Sequence, residues 1–217
     1  LVFGGVAAVG QRMDSGESYD PVSDSRSSIA ALPGGARSGI AAASHAQRVY
    51  LLGGDLDAGA SDLHFEYDPI VNQYTALANL SAPRSFAAAA LLNDRVYLAG
   101  GVNSDGSYSN FLEVYDPALD LWSRAADLPL AQAEASLHLL GDRLVLLGGA
   151  SAPGVASAAV FEYSPAGDAW RRRPDLLTAV RGALVLSDAD GLLHVIGGSD
   201  GGSQPTTTHQ IYSLRRS

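Results

Sequence analysis

Residues 95–122 read RVYLAGGVNSDGSYSNFLEVYDPALDLW. An alternating apolar run ends in the diglycine Gly100-Gly101, and a loop of Asn, Ser, Asp and Gly follows it. A second short run ends at Tyr115, directly before Asp116-Pro117, and Trp122 comes seven residues after the tyrosine. Short apolar runs that are bounded by turn residues are typical of β-strands. The stretch therefore predicts consecutive strands joined by one long loop and by tight turns.

The same pattern recurs five times, and such a repeat predicts one array rather than separate domains. The diglycines are spaced by 47 to 49 residues, at Gly4-Gly5, Gly53-Gly54, Gly100-Gly101, Gly148-Gly149 and Gly197-Gly198. The tyrosines keep the same phase, at Tyr19, Tyr67, Tyr115, Tyr163 and Tyr212. Seven residues after the tyrosine come Arg26, Tyr74, Trp122 and Trp170. Seventeen residues before the second glycine come Arg37, Arg84, Gln132 and Arg181.

These markers resemble the kelch repeat, and the resemblance covers essentially the whole chain. It implies an all-β fold, a kelch-type β-propeller of four-stranded antiparallel blades, similar to the central domain of galactose oxidase. Three positions depart from the pattern: Arg26 replaces the aromatic residue, Gln132 replaces the arginine, and Tyr212 is followed by Ser-Leu. The diglycines, tyrosines and tryptophans that mark the repeat are expected to be structural. Trp122 and Trp170 are expected to fill the space between blades.

The chain is expected to form a single array, residues 1–217, with three complete blades and a partial blade at each end. The expected blades are about 1–34 (partial), 35–81, 82–129, 130–178 and 179–217 (partial). In the middle unit, strands are predicted near 86–92, 95–100, 111–115 and 121–125. Because the chain starts inside a strand, we expect a fragment of a six- or seven-bladed ring. An open arc is favoured over closure of five blades, since its strand edges would be covered in a longer chain.

Composition limits the partners. The chain is 47% hydrophobic and 17% charged, which is typical of a folded globular protein. A net charge of −9 disfavours a nucleic-acid backbone as the main partner. There is no apolar run long enough for a membrane helix and no cysteine, and the cellular compartment stays undetermined. The pattern predicts neither a metal ion nor a cofactor.

The topology predicts one face for binding. The segments that precede the inner strands open on the same face as the loops after the diglycines, which are residues 6–18, 55–62, 102–110, 150–158 and 199–208. Variable loops on a rigid scaffold commonly carry binding sites. In kelch-type adaptor proteins this face binds partner peptides, so the resemblance implies the same for this chain. The candidate binding residues are Arg37, Ser38, Arg84, Ser85, Arg181, Asp55, Asp57 and Tyr108.

Each candidate group has a structural alternative. Arg37, Arg84 and Arg181 either form a ring that attracts a carboxylate or phosphate, or brace neighbouring loops as a fixed part of the repeat. Asp55, Asp57 and Asp62 lie close enough in sequence to suggest calcium, but kelch loops are often rich in Asp and their spacing is not that of an EF-hand. The histidines share no register and show no metal-binding motif, and they are His45, His64, His138, His194 and His209.

Three functions remain open. The first, which we favour, is a non-catalytic module that presents loops to a protein, a peptide or a glycan. The second is a kelch-fold enzyme. Copper chemistry like that of galactose oxidase needs a cysteine-crosslinked tyrosine, which this chain cannot form because it has no cysteine. An isomerase similar to sialic-acid mutarotases needs an acid or base at the central channel, and Glu134 is the only charged residue that the pattern places there. The third is a structural spacer between other domains.

Overall fold

The computed structural model describes residues 1–8, 10–202 and 205–213. The first part of the chain contains β1 (Val2–Phe3), β2 (Gly16–Asp20), β3 (Ser25–Ile29), β4 (Ala41–His45), β5 (Arg48–Leu52), β6 (Asp55–Leu56), β7 (Gly59–Ala60), β8 (His64–Asp68) and β9 (Gln73–Ala76). The middle part contains β10 (Arg84–Ser85), β11 (Ala88–Leu92), β12 (Arg95–Ala99), β13 (Val102–Asn103), β14 (Leu112–Asp116) and β15 (Leu121–Arg124).

The remaining strands follow in the last part of the chain. Their strands are β16 (Ser136–Leu140), β17 (Arg143–Leu147), β18 (Ala150–Ala152), β19 (Val155–Ala156), β20 (Val160–Ser164), β21 (Ala169–Arg173), β22 (Leu184–Ser187), β23 (Leu193–Ile196) and β24 (His209–Tyr212). No helix among the described residues is long and apolar enough to cross a membrane.

Five antiparallel sheets of three or four strands follow one another in the order of the blades of a β-propeller. Three sheets have four strands, β4-β5-β8-β9, β11-β12-β14-β15 and β16-β17-β20-β21, and they are blades 2, 3 and 4. Two have three strands, β1-β2-β3 and β22-β23-β24, and they are blades 1 and 5. The inner strands β4, β11, β16 and β22 lie side by side in that order. The predicted all-β propeller of four-stranded blades, with thinner sheets at the two ends, is confirmed, and the strands of blade 3 agree with their predictions to within two residues.

The predicted long loops contain short ladders of their own. Strands β6 and β7 form a hairpin after the second diglycine, and β18 and β19 form one after the fourth. In blade 3, β13 pairs with β10, the segment that leads into the inner strand. The loops are therefore anchored to the segments that precede the inner strands. Val9 and residues 203–204 of the predicted loops, and residues 214–217, lie outside the described residues.

The hydrophobic cores lie between blades. Tyr50 and Leu52 of blade 2 pack against Leu98 and Tyr115 of blade 3, and the same arrangement follows at the next two junctions. Aromatic rings also meet across three junctions, with ring centroids 5.3 to 5.9 Å apart in the pairs Phe3–Tyr67, Tyr50–Tyr115 and Tyr97–Tyr163. Burying each large apolar side chain stabilises the fold by about 1.5–3 kcal/mol, so the junctions hold the array together.

The diglycines serve the same junctions. The second glycine donates its N–H to a carbonyl of the next blade, as Gly54 does to Arg84 at 3.0 Å and Gly101 to Gln132 at 2.8 Å. A Cβ atom on the preceding glycine would lie 2.1 to 2.6 Å from the same carbonyl. Because no side chain fits there and both glycines have positive φ, the repeat requires glycine at these positions.

The Tyr-Asp-Pro turn carries a further contact between blades. Asp120, five residues after Tyr115, accepts the tyrosine hydroxyl at 2.7 Å and the N–H of Ala78 in the preceding blade at 2.9 Å. Trp122 donates its indole N–H to the carbonyl of the same Ala78 at 2.9 Å. The same two-point clamp holds Ala126 through Asp168 and Trp170, and Ala30 through Asn72 and Tyr74. Trp122 and Trp170 thus lie against the preceding blade and also act as hydrogen-bond donors.

Candidate functional site

The site is built on a run of hydrogen bonds between blades. Phe86 donates its N–H to the carbonyl of Gly39, Glu134 donates to Phe86, and Gly182 donates to Glu134, each at 2.8 Å. All four residues have a positive φ between 53° and 61° and each stands just before an inner strand. We call Gly39, Phe86, Glu134 and Gly182 the channel arc, because the inner strands beyond it line a cavity of about 240 Å³.

The two side chains of the channel arc point in opposite directions along it. The ring of Phe86 covers Gly39, whose Cβ would lie within 2.9 Å of three of its atoms. The Glu134 carboxylate lies 3.7 Å from the corresponding point on Gly182. Phe86 keeps 37% of its surface exposed. Non-glycine residues in left-handed conformations cost free energy and often mark functional sites, which draws attention to both side chains.

Glu134 and Arg181 form an ion pair at this position. Nη1 of Arg181 lies 2.8 Å from both carboxylate oxygens of Glu134, and each side chain is about a quarter exposed, at 27% and 25%. Nε of Arg181 is buried and has no hydrogen-bond partner within the described part of the chain. The pair thus offers a ligand one acceptor group and one donor group that are already oriented.

Tyr108 completes the site from the loop of blade 3. Burial raises the pKa of Tyr108, the charge of Glu134 raises it further, and Arg181 opposes this. The charges of a carboxylate from blade 4 and a guanidinium from blade 5 therefore act on a phenol from blade 3. The sequence singled out Tyr108 and Arg181 as candidate binding residues and Glu134 as a candidate acid or base, and the structure joins Glu134 and Arg181 in one ion pair whose charges reach Tyr108.

The other two arginines are buried. Nη1 of Arg37 donates to the carbonyl of Gly53, and Nη1 of Arg84 donates to that of Gly100, both at 3.3 Å. Arg84 also forms a buried ion pair with Glu113. Burial lowers the pKa of Arg84 to about 10, which leaves it protonated at neutral pH. Both arginines are exposed by at most 1%, so they brace the diglycine of their own blade, which is the structural alternative considered above.

Arg181 does not occupy the position of Arg37 and Arg84, so the three arginines do not form the ring of equivalent residues that was one of the two alternatives. The carbonyl that receives the diglycine N–H belongs to Arg37, Arg84 and Gln132 in the earlier blades, but to Val180 in blade 5. Arg181 pairs with Ser199, as Ser38 pairs with Asp55 and Ala133 with Ala150. The hairpin between β22 and β23 is one residue longer than the others, so equal spacing in sequence hides a shift of one position.

The serines and aspartates of the predicted site have partners inside the protein. Ser38 and Ser85 are buried, with exposures of 8% and 3%. Arg12, from the loop of blade 1, contacts Asp55 and lies 2.7 Å from Asp57. Among the described residues no group of three His, Asp or Glu side chains is arranged to hold a metal ion. Two of the three carboxylates suggested for calcium, Asp55 and Asp57, thus connect two neighbouring loops through Arg12.

Sequence reasoning missed Phe86 and the acidic residue of the clamp. The signal for Phe86 was that two of the four copies have glycine at its position, Gly39 and Gly182, which indicates a left-handed conformation. The signal for the clamp was that Asp or Asn stands five residues after four of the tyrosines, at Asp24, Asn72, Asp120 and Asp168. A third unforeseen group is His194, which contacts His209 and Asp188, each at 2.9 Å.

Comparison with known proteins agrees with this architecture. A family model described as the Kelch motif matches residues 83–129, which is blade 3 with the segment before it. Among solved structures, the chain is similar to one titled "Structure of YjhT", with a TM-score of 0.77 and 22% identity over 89% of this chain and 68% of that chain. At this identity the similarity concerns the fold. No curated protein matches the chain.

Proposed function

We propose that this chain, a kelch-repeat β-propeller by its repeat, its family match and its fold, is a binding module. Its partner, a protein or peptide segment or a glycan, would contact the loop face around the channel arc. The observation that carries the proposal is the Glu134–Arg181 ion pair, which joins blades 4 and 5 at the channel arc and whose charges act on Tyr108 in the loop of blade 3. Binding residues on loops of a rigid scaffold are the usual arrangement.

The chemistry of this site favours a peptide. The Glu134 carboxylate accepts hydrogen bonds and the Arg181 guanidinium donates them, which matches the N–H and C=O groups of an extended backbone. Phe86 and Tyr108 add aromatic surface, and aromatic and arginine side chains dominate binding energy at interfaces. The pair carries no net charge, so a strongly charged ligand is not required.

Selection from a phage-displayed peptide library tests the proposal. Peptides selected on the wild-type chain are measured against the double variant Glu134→Ala with Arg181→Ala, which removes both charges at once. We expect affinity to fall at least about tenfold, because a buried or half-buried anchor typically contributes more than 1 kcal/mol. A glycan array, read with the same two proteins, tests the second ligand class.

The matched control lies on the opposite face. Ile70 and Leu119 stand at the tips of Tyr-Asp-Pro turns and are 73% and 65% exposed. The variant Ile70→Ser with Leu119→Ser should bind the selected peptides as the wild type does. Peptides that lose affinity for the control and keep it for the double variant would move the site to the turn face. Failure to select any peptide or glycan would favour the structural spacer.

One observation favours an enzyme as the second candidate. Glu134 and Tyr108 are two titratable groups at the channel, and Arg181 orients the carboxylate. A sialic-acid mutarotase-like isomerase would use Glu134 as its acid or base. Proton NMR of freshly dissolved sialic acid would then show faster anomer exchange with catalytic amounts of the chain, and Glu134→Gln would abolish the acceleration. An unchanged anomer exchange rate would rule out this activity.

A further inference from the structure

Blade 1 exposes a face that every other blade buries. Val2 is 63% exposed and Tyr19 is 53% exposed. The strand registers make Val2 equivalent to Leu98, which is 0% exposed, and Tyr19 equivalent to Tyr115, which is 1% exposed. In blades 2, 3 and 4 these positions pack against the preceding blade. Blade 1 therefore presents one half of the junction that the array repeats internally.

The hydrogen-bonding half of that junction is also in place. The Tyr19 hydroxyl donates to the Asp24 carboxylate at 2.9 Å, as Tyr115 donates to Asp120. In the inner junctions the same carboxylate or amide oxygen also accepts a backbone N–H from the preceding blade. Within the part of the chain that the structure describes, Asp24 receives the tyrosine hydroxyl alone. Its carboxylate thus retains room for one more donor.

Arg26 stands where the other blades have the aromatic donor. It pairs with Tyr19 across β2 and β3, as Trp122 pairs with Tyr115 across β14 and β15. The aromatic donor gives its hydrogen to the carbonyl of the same residue whose N–H is accepted by the acidic side chain. A guanidinium has no aromatic bulk, but it keeps N–H donors that can reach a carbonyl. Val2, Tyr19, Asp24 and Arg26 line one cavity of about 510 Å³.

We propose that this face of blade 1 is the docking surface for one further four-stranded β-blade of the same type. In the segment after the outer strand of that blade, one residue would make two hydrogen bonds. Its backbone N–H would donate to Asp24, and its C=O would accept from Arg26. This residue cannot be proline, because proline has no backbone N–H. An apolar or aromatic side chain from its second strand would pack on Tyr19. The four junctions inside the array carry the inference, since they bury the equivalent positions. It is independent of the peptide-binding proposal.

An extended chain tests this directly. The registers make Leu1 equivalent to Tyr97 and Val145, so a copy of residues 82–144 placed before Leu1 continues the repeat in phase. That copy supplies one complete four-stranded blade, the alanine that follows its outer strand (the copy of Ala126) and an inner strand beside β1. We expect hydroxyl-radical labelling of Tyr19 to fall at least about fivefold in the extended chain, because the ring becomes buried.

The clamp variants give a second reading on the same protein. Asp24→Ala and Arg26→Ala should each restore labelling of Tyr19 in the extended chain or lower its urea midpoint. In the 217-residue chain they should shift the midpoint little, since both side chains are exposed there. Asp120→Ala, which breaks an internal clamp, is the positive control and should lower the midpoint in both proteins. Equal effects of Arg26→Ala in the two proteins would contradict the proposal.

Two further outcomes would overturn it. A second extended chain, with residues 35–96 before Leu1, offers Ala78 in place of Ala126 and guards against an unsuitable first copy. If Tyr19 stays as reactive in both extended chains as in the original, the face does not accept a blade. If Tyr19 of the original chain becomes protected with rising protein concentration, and Asp24→Ala prevents this, the occupant is a second copy of the chain.

Discussion

At the scale of single residues, the first glycine of each of the first four diglycines allows a close approach between blades. Gly100 has a φ of +66°, and a Cβ there would lie 2.1 Å from the carbonyl oxygen of Gln132. We expect Gly100→Ala to destabilise the fold by about 3 kcal/mol or more, because left-handed strain and a backbone clash add together. Urea unfolding measures the change.

The control for this prediction is another glycine of blade 3. Gly106 has a φ of +80°, and its Cβ would meet nothing within 4 Å. Gly106→Ala should therefore cost only the left-handed conformation, about 1–2 kcal/mol. Equal losses for the two variants would show that the approach to Gln132 can relax, and the packing argument for the diglycine would fail.

The buried pair of Arg84 and Glu113 is a second case at this scale. Both side chains are exposed by at most 3%. Glu113→Ala leaves the arginine charge buried without its partner, and we expect a loss of about 3–5 kcal/mol in the free energy of unfolding. Arg84→Met combined with Glu113→Leu removes both charges and should recover most of that loss. A double variant as unstable as Glu113→Ala would mean that shape, rather than charge, sets the cost.

The arginine marker also shows what could not be predicted at this scale. Its recurrence identified the repeat, and one of the two roles considered, the brace, is what Arg37 and Arg84 do. Arg181 has the same spacing from its diglycine, yet it lies one position further along the backbone pattern. The cause is the longer hairpin at residues 188–192, and counting residues between markers cannot reveal where along the unit an extra residue is accommodated.

At the scale of strands and blades, the clamp links each turn to the preceding blade. Asp120 accepts two hydrogen bonds, from Ala78 and Tyr115. We expect Asp120→Ala to cost about 2 kcal/mol, since both donors lose their partner. Asp120→Asn should cost much less, because Asn72 makes the same contacts in blade 2. Thermal unfolding separates the two, and an equal loss would contradict the hydrogen-bond account.

The clamp also predicts a response to acid. The N–H of Ala78, followed by the hydroxyl of Tyr115, lowers the pKa of Asp120 below its ordinary value of 3.8. A lowered carboxyl pKa contributes stability that is present above the unfolded value and is lost as pH falls through the folded one. The stability difference between wild type and Asp120→Asn should therefore shrink as pH falls below about 4. A difference that stays constant down to pH 2 would contradict this.

His64 gives blade 2 a different pH dependence. It is 1% exposed, and burial lowers its pKa from 6.5 to about 4. The unfolded chain then binds more protons between these values, so stability is full above pH 6.5 and falls as pH decreases towards 4. At pH 5 the loss should be about 2 kcal/mol. The equivalent residue of blade 3 is Leu112, so His64→Leu is the matched variant. If the wild type loses no more stability than this variant when the pH falls from 6.5 to 5, the prediction is refuted.

Strand positions were predictable because turn residues bound each apolar run, and the diglycine and Tyr-Asp-Pro markers fix the phase of the unit. The contacts at the loop face were not. Phe86 and Glu134 come next to each other through hydrogen bonds between blades, and no spacing within one unit encodes that contact. The effect of the Glu134 and Arg181 charges on Tyr108 likewise depends on three blades standing in order.

At the scale of the whole molecule, blade 5 presents an apolar face opposite in type to that of blade 1. Leu184, Leu186 and Ile211 are 57%, 50% and 57% exposed. The registers make Leu184 equivalent to Ala88 and Ile211 to Val114, which are buried at the junction of blades 3 and 4. The net charge of −9 opposes contact between copies. Apolar attraction and charge repulsion therefore act against each other.

Salt should shift that balance. Raising the salt concentration from about 20 mM to about 500 mM screens the repulsion and leaves the apolar attraction in place, so sedimentation velocity should show more self-association. Leu184→Ser with Ile211→Ser should suppress it, whereas the control Ile70→Ser with Leu119→Ser, at isolated turn tips that are also exposed, should not. If both variants associate like the wild type, the contact between copies lies outside blade 5 and the apolar face of that blade does not govern association.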